Sequence, residues 1–173
     1  MEIREPVAED ALELGRIHVR AWQEGYKDGL MPQTYLDGLD PEERAGMWAE
    51  ALSRPPRPRT TRLVSVDESG RPCGFILTGP AEVDPTIGEV YALNVDPDVW
   101  GRGHGGALLA RGVASLREAG FADAVLWVHR DNVRARRFYE RHSWDPTGEE
   151  QQAEVLGIEV PEVRYRRSLV AAS

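Results

Sequence analysis

The sequence predicts an α/β fold of the α+β type, a mixed sheet in the element order β-αα(α)-βββ-α-β-α-ββ. Three observations carry this. A strand near 88–95 runs through a glycine-dense loop straight into an amphipathic helix. Two apolar runs near 62–67 and 73–78 flank the turn Glu68-Ser69-Gly70-Arg71, as in a hairpin. The first third of the chain carries helical rather than alternating apolar spacing. At 173 residues the chain suits one domain over 1–173, with a sizeable core.

The elements follow in order. A short strand near Glu2–Val7 leads to a helix with an apolar stripe including Leu14, Ile17, Ala21 and Trp22, with Glu9-Asp10 at its positive end. Gly25 and Gly29 break that pattern, and a short helix runs from Pro32 to Leu39. Asp40-Pro41 reads as an N-cap followed by proline at the first helical position, opening a helix to about Leu52. The run 54–59, rich in proline and arginine, can be only a loop. After the hairpin come the strand 88–95, a helix over 105–118, a strand over 124–128 and a helix over 132–141. Two strands, near Glu149–Leu156 and Val163–Leu169, close the chain.

Composition narrows the partners. Asp and Glu total 29 against 21 Lys and Arg, a net charge of −8, which argues against non-specific nucleic-acid binding. The single cysteine, Cys73, excludes an internal disulfide and fits a reducing, cytoplasmic setting. No apolar run approaches membrane-spanning length, and the charged start MEIREPVAED lacks the apolar centre of a secretion signal. The four histidines and one cysteine match no metal-ligand spacing, so no metal is expected. A homodimer is compatible with the sequence and not indicated by it.

The glycine loop, Gly101-Arg102-Gly103-His104-Gly105-Gly106, is a phosphate cradle in outline. A helix leaves its first N–H groups unpaired and partly positive, and glycines let an anion approach them. A P-loop is excluded, because Ala107 follows Gly106 and Lys27 is the only lysine. Gly101, Gly103 and Gly106 match the bare dinucleotide spacing. Yet the loop lies past mid-chain, and Asp123 precedes the next strand rather than ending it. A nucleotide-binding oxidoreductase is therefore disfavoured.

A second motif follows one helix and one strand later: Asn132-Val133-Arg134-Ala135-Arg136-Arg137-Phe138-Tyr139-Glu140. Together with Val95-Asp96-Pro97 and Trp100-Gly101-Arg102-Gly103-His104-Gly105, it resembles the GNAT (Gcn5-related) N-acetyltransferases. Their motifs are Gln/Arg-x-x-Gly-x-Gly/Ala and Asn-x-x-Ala-x-x-Phe-Tyr-Glu. The likeness is tight over about 87–144. Trp100 stands at the Gln/Arg position, and Ser143-Trp144 replaces a Gly-Phe pair.

The resemblance implies the GNAT acyl-CoA N-acyltransferase fold, with a splayed central strand pair and acetyl-CoA entering the gap. It implies that main chain around Arg102, Gly103, His104, Gly105, Gly106 and Ala107 holds the pyrophosphate. Arg137 or Arg141 would reach the adenosine phosphate. Leu93, Asn94 and Val95 would pair with pantetheine as an added strand does, and Asn132 would cap its helix or bond pantetheine. Tyr139 matches the general acid, a phenol protonated at neutral pH. Glu89 is the first candidate base and His129, at the end of the next strand, the second. Trp22 and Tyr26, between the first helices, and Tyr91, sharing a face with Glu89, are candidate acceptor contacts. The acceptor would be the amine of a small molecule or peptide. The segment around Trp22–Pro32 and Tyr35-Leu36-Asp37 is similar to members acting on polyamines or small amines. The alternative is a domain that binds acetyl-CoA without turnover.

Overall fold

The computed structural model describes residues 1–155 and 157–170. Its elements are β1 (Glu2–Arg4), α1 (Ala11–Gly25), α2 (Gln33–Asp37), α3 (Pro41–Leu52), β2 (Thr61–Val66), β3 (Pro72–Pro80), β4 (Gly88–Val95), α4 (His104–Glu118), β5 (Asp123–His129), α5 (Val133–Arg141), β6 (Asp145–Val155) and β7 (Ile158–Ser168). Single 3₁₀ turns precede α1, at Ala8–Asp10, and follow β4, at Pro97–Val99. All seven strands join one sheet in the order β1-β2-β3-β4-β5-β7-β6. Every neighbouring pair is antiparallel except β4–β5.

Side-chain alternation along the strands sends apolar residues to opposite faces. Ile76, Val90 and Leu126 pack with Leu108, Leu109 and Leu116 of α4. Val64 and Phe75 pack with Leu14 and Ile17 of α1 and Trp48 of α3. A third cluster ties Trp22, Met31 and Leu36 to Val160 of the β6–β7 hairpin.

Some boundaries move, for local reasons. β1 stops at Arg4 because Asp10 draws the chain round. Its buried carboxylate accepts from Arg4 Nη1 (2.7 Å), Arg4 Nη2 (3.0 Å) and the Val7 N–H (2.8 Å). α3 begins as expected, with the Asp40 carboxylate accepting from Glu42 N–H at 2.9 Å. β6 begins at Asp145 rather than Glu149, with an irregularity between Pro146 and Glu150. β7 begins at Ile158 rather than Val163 and runs through Pro161, whose carbonyl accepts from Arg130 N–H at 2.8 Å. The expected end of the β6 strand, Leu156, lies outside the described residues.

One irregularity positions everything that follows. β4 and β5 pair at only two positions, Gly88 with Ala124 and Glu89 with Val125, and then part. Opposite β3, the register slips between Leu77 and Thr78, leaving Tyr91 without a partner. A bulge bends its strand and increases local twist. Beyond Glu89 the β5-facing edge of β4 is therefore unpaired main chain in the middle of a sheet.

Candidate active site

At the far end of the split stands the glycine loop. Gly101 and Gly103 have φ of 78° and 89°, and Gly103 is the N-cap of α4. This left-handed backbone swings the chain from the 3₁₀ turn onto the helix axis. The donors are fewer than the sequence suggests. Arg102 N–H is committed to Val99 O (3.2 Å) and Ala107 N–H to Gly103 O (3.0 Å). Among the described residues the N–H groups of Gly103, His104, Gly105 and Gly106 have no acceptor. Four converging donors at a positive helix end form an anion nest. The Gly105 and Gly106 side positions face inward. A Cβ on Gly105 would meet the Phe138 ring at 3.5 Å, and one on Gly106 would meet His142 Nε2 at 2.9 Å. These two glycines let α4 lie against α5. The His104 side chain is buried, with Nδ1 3.0 Å from Ser65 Oγ, and burial lowers its pKa.

Along β4, Asp96 N–H bonds Cys73 O of β3 at 2.8 Å. Antiparallel alternation then turns Asn94 main chain toward β3, and Leu93 and Val95 main chain toward the split. The expectation of three split-facing residues narrows to two, Leu93 and Val95. The Val95 carbonyl already accepts from the Trp100 indole N–H at 2.8 Å.

On the opposite lip, Asn132 is the N-cap of α5, its Oδ1 accepting from Ala135 N–H at 3.1 Å. α5 is pinned to β7 by Tyr165, whose hydroxyl donates to Glu140 (2.7 Å) and accepts from Arg136 Nε (3.1 Å). That register fixes Tyr139, which lies 5.2 Å from Phe138, 6.4 Å from Trp144 and 6.5 Å from Tyr165, ring to ring. The Tyr139 hydroxyl has no hydrogen-bond partner among the described residues. Burial, with nearby Tyr26 adding to it, raises its pKa above the ordinary phenol range, so it stays protonated.

Glu89 occupies the last paired position before the split. Burial raises its carboxyl pKa. The charges of Glu82 and Glu162 add to the rise, while the Glu82 main chain and Arg164 oppose it. A carboxylate lifted toward neutrality is a better proton acceptor than an exposed one.

His129 does not compete for that role. Its Nδ1 accepts from Asp131 N–H (3.1 Å), so Nε2 carries the proton and donates to Leu30 O (2.9 Å). Neither nitrogen has a free lone pair. Trp22 is core rather than an acceptor contact. It is 8% exposed and packs in the third core cluster, so it supports the wall rather than offering a face to an amine. Tyr26 stands between Trp22 (5.3 Å) and His129 (6.0 Å), and burial followed by the Glu162 charge pushes its pKa up to about 12. The Tyr91 hydroxyl donates to Pro80 O, which folds it back along β3. Arg102, Arg137 and Arg141 are exposed and make no ion pair among the described residues.

Three features escaped the sequence. Arg20 of α1 reaches the buried Asp96 (2.9 Å) and Asp98 (2.8 Å), bolting α1 to the end of β4. Glu162 enters from β7, far along the chain, yet its charge acts on both Glu89 and Tyr26. Arg134 lays its guanidinium 3.3 Å from the centre of the Trp100 ring. No spacing rule signals any of these, because each partner comes from a distant element.

An unpaired strand edge that leads to a run of free N–H groups at a helix N-terminus can hold an extended ligand that carries phosphate. The chain matches the Acetyltransferase (GNAT) family over residues 14–144. It belongs to that family and is an acetyl-CoA-dependent N-acetyltransferase. It is 30% identical over 163 residues to the uncharacterized N-acetyltransferase YuaI of Bacillus subtilis, covering 93% of this chain and 89% of that one. It is 34% identical over 134 residues to a mycothiol acetyltransferase of Clavibacter sepedonicus, covering 78% of this chain but only 39% of that protein. Its fold is similar to that of the PaiA N-acetyltransferase from Thermoplasma acidophilum, solved with coenzyme A. The TM-score is 0.70 at 18% identity, over 96% of this chain and 98% of that one. No helix among the described residues is long and apolar enough to cross a membrane.

Proposed function

We propose that the protein transfers the acetyl group of acetyl-CoA directly to a primary amine of a small molecule or peptide, within a ternary complex. The observation that carries this is the parting of β4 from β5 after Glu89, with Glu89 at the closed end, the anion nest just beyond the open end of β4, and Tyr139 on α5, the helix that follows β5. The nest N–H groups of Gly103 to Gly106 suit a pyrophosphate, and the edge at Leu93 and Val95 suits the amides of pantetheine. That set of unmatched donors and acceptors fits coenzyme A.

The chemistry divides between two groups. An ammonium cannot attack, so Glu89 takes its proton, directly or through water. The amine nitrogen then bonds to the acetyl carbon, and the carbon–sulfur bond breaks with its electron pair on sulfur. Tyr139 gives its hydroxyl proton to that sulfur, the acylated nitrogen gives up its second proton to the resulting phenolate or to solvent, and solvent takes the proton held on Glu89. The Tyr139 hydroxyl makes no hydrogen bond to the described residues, which leaves its proton available for this role. Glu82 and Glu162 beside Glu89 outnumber the one cation that acts on it, Arg164, and this excess of carboxylates suits a cationic amine. The single buried cysteine suits a reducing compartment, and we assign the reaction to the cytoplasm.

Initial rates with acetyl-CoA and a panel of amines test the reading. Intersecting double-reciprocal lines and thiol release that requires the amine are expected. Parallel lines would mean a covalent acetyl-enzyme and would overturn direct attack.

A further inference from the structure

Trp100 and Arg134 sit on opposite lips of the split. Trp100 follows β4, and its indole N–H is tied to Val95 O at 2.8 Å. Arg134 is the second residue of α5, which follows β5. The guanidinium lies 3.3 Å from the indole ring centre, so the stack spans the place where the strands have separated. Stacking uses the face of a guanidinium and leaves the N–H donors around its edge free. For Arg134 they are free: it makes no hydrogen bond or ion pair among the described residues. Arg20 and Arg136 are committed, Arg20 to Asp96 and Asp98 and Arg136 to Tyr165 and Arg130 O, while Arg102, Arg137 and Arg141 are exposed and, unlike Arg134, rest on no ring among the described residues. Trp100 stands three residues before Gly103, whose N–H opens the nest.

We propose that Arg134, held on Trp100 across the mouth of the split, is a further binding residue for the diphosphate of acetyl-CoA. The indole acts as a shelf that orients the fork before the donor arrives. The nest supplies neutral main-chain donors on one side, and Arg134 supplies charge and paired donors from the other lip. Because Arg134 rides on α5, the helix that carries Tyr139, holding the diphosphate there also ties the donor to the general acid. This assignment rests on the split being the donor cleft.

The test uses the whole chain and three probes. Coenzyme A and 3′-dephospho-CoA are titrated by calorimetry, and S-acetylpantetheine, which has no diphosphate, is followed by kcat/KM. Arg134→Ala is expected to weaken coenzyme A and 3′-dephospho-CoA alike by roughly ten-fold, the loss of one charge-assisted contact. It should leave S-acetylpantetheine unchanged. Arg134→Lys, which keeps charge and stem but not the fork, should recover part of the loss and answers the question if the alanine variant loses the fold. No loss with coenzyme A, or an equal loss with all three probes, would overturn the assignment. A loss confined to coenzyme A would move the contact to the 3′-phosphate and equally overturn it. Failure of the native protein to bind coenzyme A would instead sink the donor-cleft reading itself.

Discussion

Tyr139 and Glu89 have opposite electrostatic needs, and burial serves both. A buried phenol stays protonated and a buried carboxyl is lifted toward neutrality, because desolvation disfavours each charged form. Tyr139→Phe removes the donor but keeps a ring of nearly the same volume. Turnover is expected to fall by roughly ten- to a thousand-fold with acetyl-CoA affinity preserved. Steady-state kinetics with calorimetry checks this, and full activity in the folded variant would make the tyrosine structural.

Glu89→Gln should lower kcat and remove the acidic limb of the pH–rate profile, since the base works only above its raised pKa. Stability should move the other way. A carboxyl whose folded pKa exceeds its unfolded value favours the fold while protonated, and that contribution is lost as pH rises through the folded pKa. The glutamine variant should therefore melt higher than the native protein at neutral pH. The gain should vanish below the ordinary carboxylate range. A gain that persists unchanged in acid would show that it does not come from Glu89 titration.

At the scale of elements, the decisive feature is the turn into α4. Gly103 at φ 89° aims the nest, and an L-residue is strained there. Gly103→Ala should cost about 1–2 kcal/mol of stability and weaken coenzyme A binding. Denaturation and titration would show both losses together, and unchanged binding would separate the loop from the ligand. The loop was legible in the sequence because its determinants are local glycines, and the α5 motif because Asn132 to Glu140 resembles the family pattern, with Asn132 as its cap. The number of free donors was not legible, since it depends on Val99 and Gly103 accepting from Arg102 and Ala107. Nor was the exclusion of His129, whose proton is fixed by Leu30, 99 residues away.

Across the whole molecule, the split stays open because its lips are held from outside. β5 is paired to β7 along its full length, while β4 is paired to β3 and bolted to α1 through Arg20 and Asp96. α1 in turn rests on α3 at Gly15, where an added Cβ would lie 2.5 Å from both Pro41 O and Ala45 N. Both obstacles are backbone, so neither can turn aside. Gly15→Ala should destabilise the fold by about 1–3 kcal/mol, as overpacking does, and lower the denaturation midpoint. A native midpoint would mean that the helix pair yields freely and does not brace the split.

The sequence by itself determined the order of elements and the glycine turn into α4, while the roles of Glu89 and Tyr139 came from the resemblance to the family and stand as the proposal above. The order and the turn rest on local propensity and on glycine's conformational freedom, both of which a linear string contains. Tertiary structure alone decided where β4 leaves β5, which N–H groups remain free, and that Arg134 meets Trp100. Each of these depends on hydrogen-bond and packing competition between segments far apart in the chain, and that competition is settled only when the segments meet.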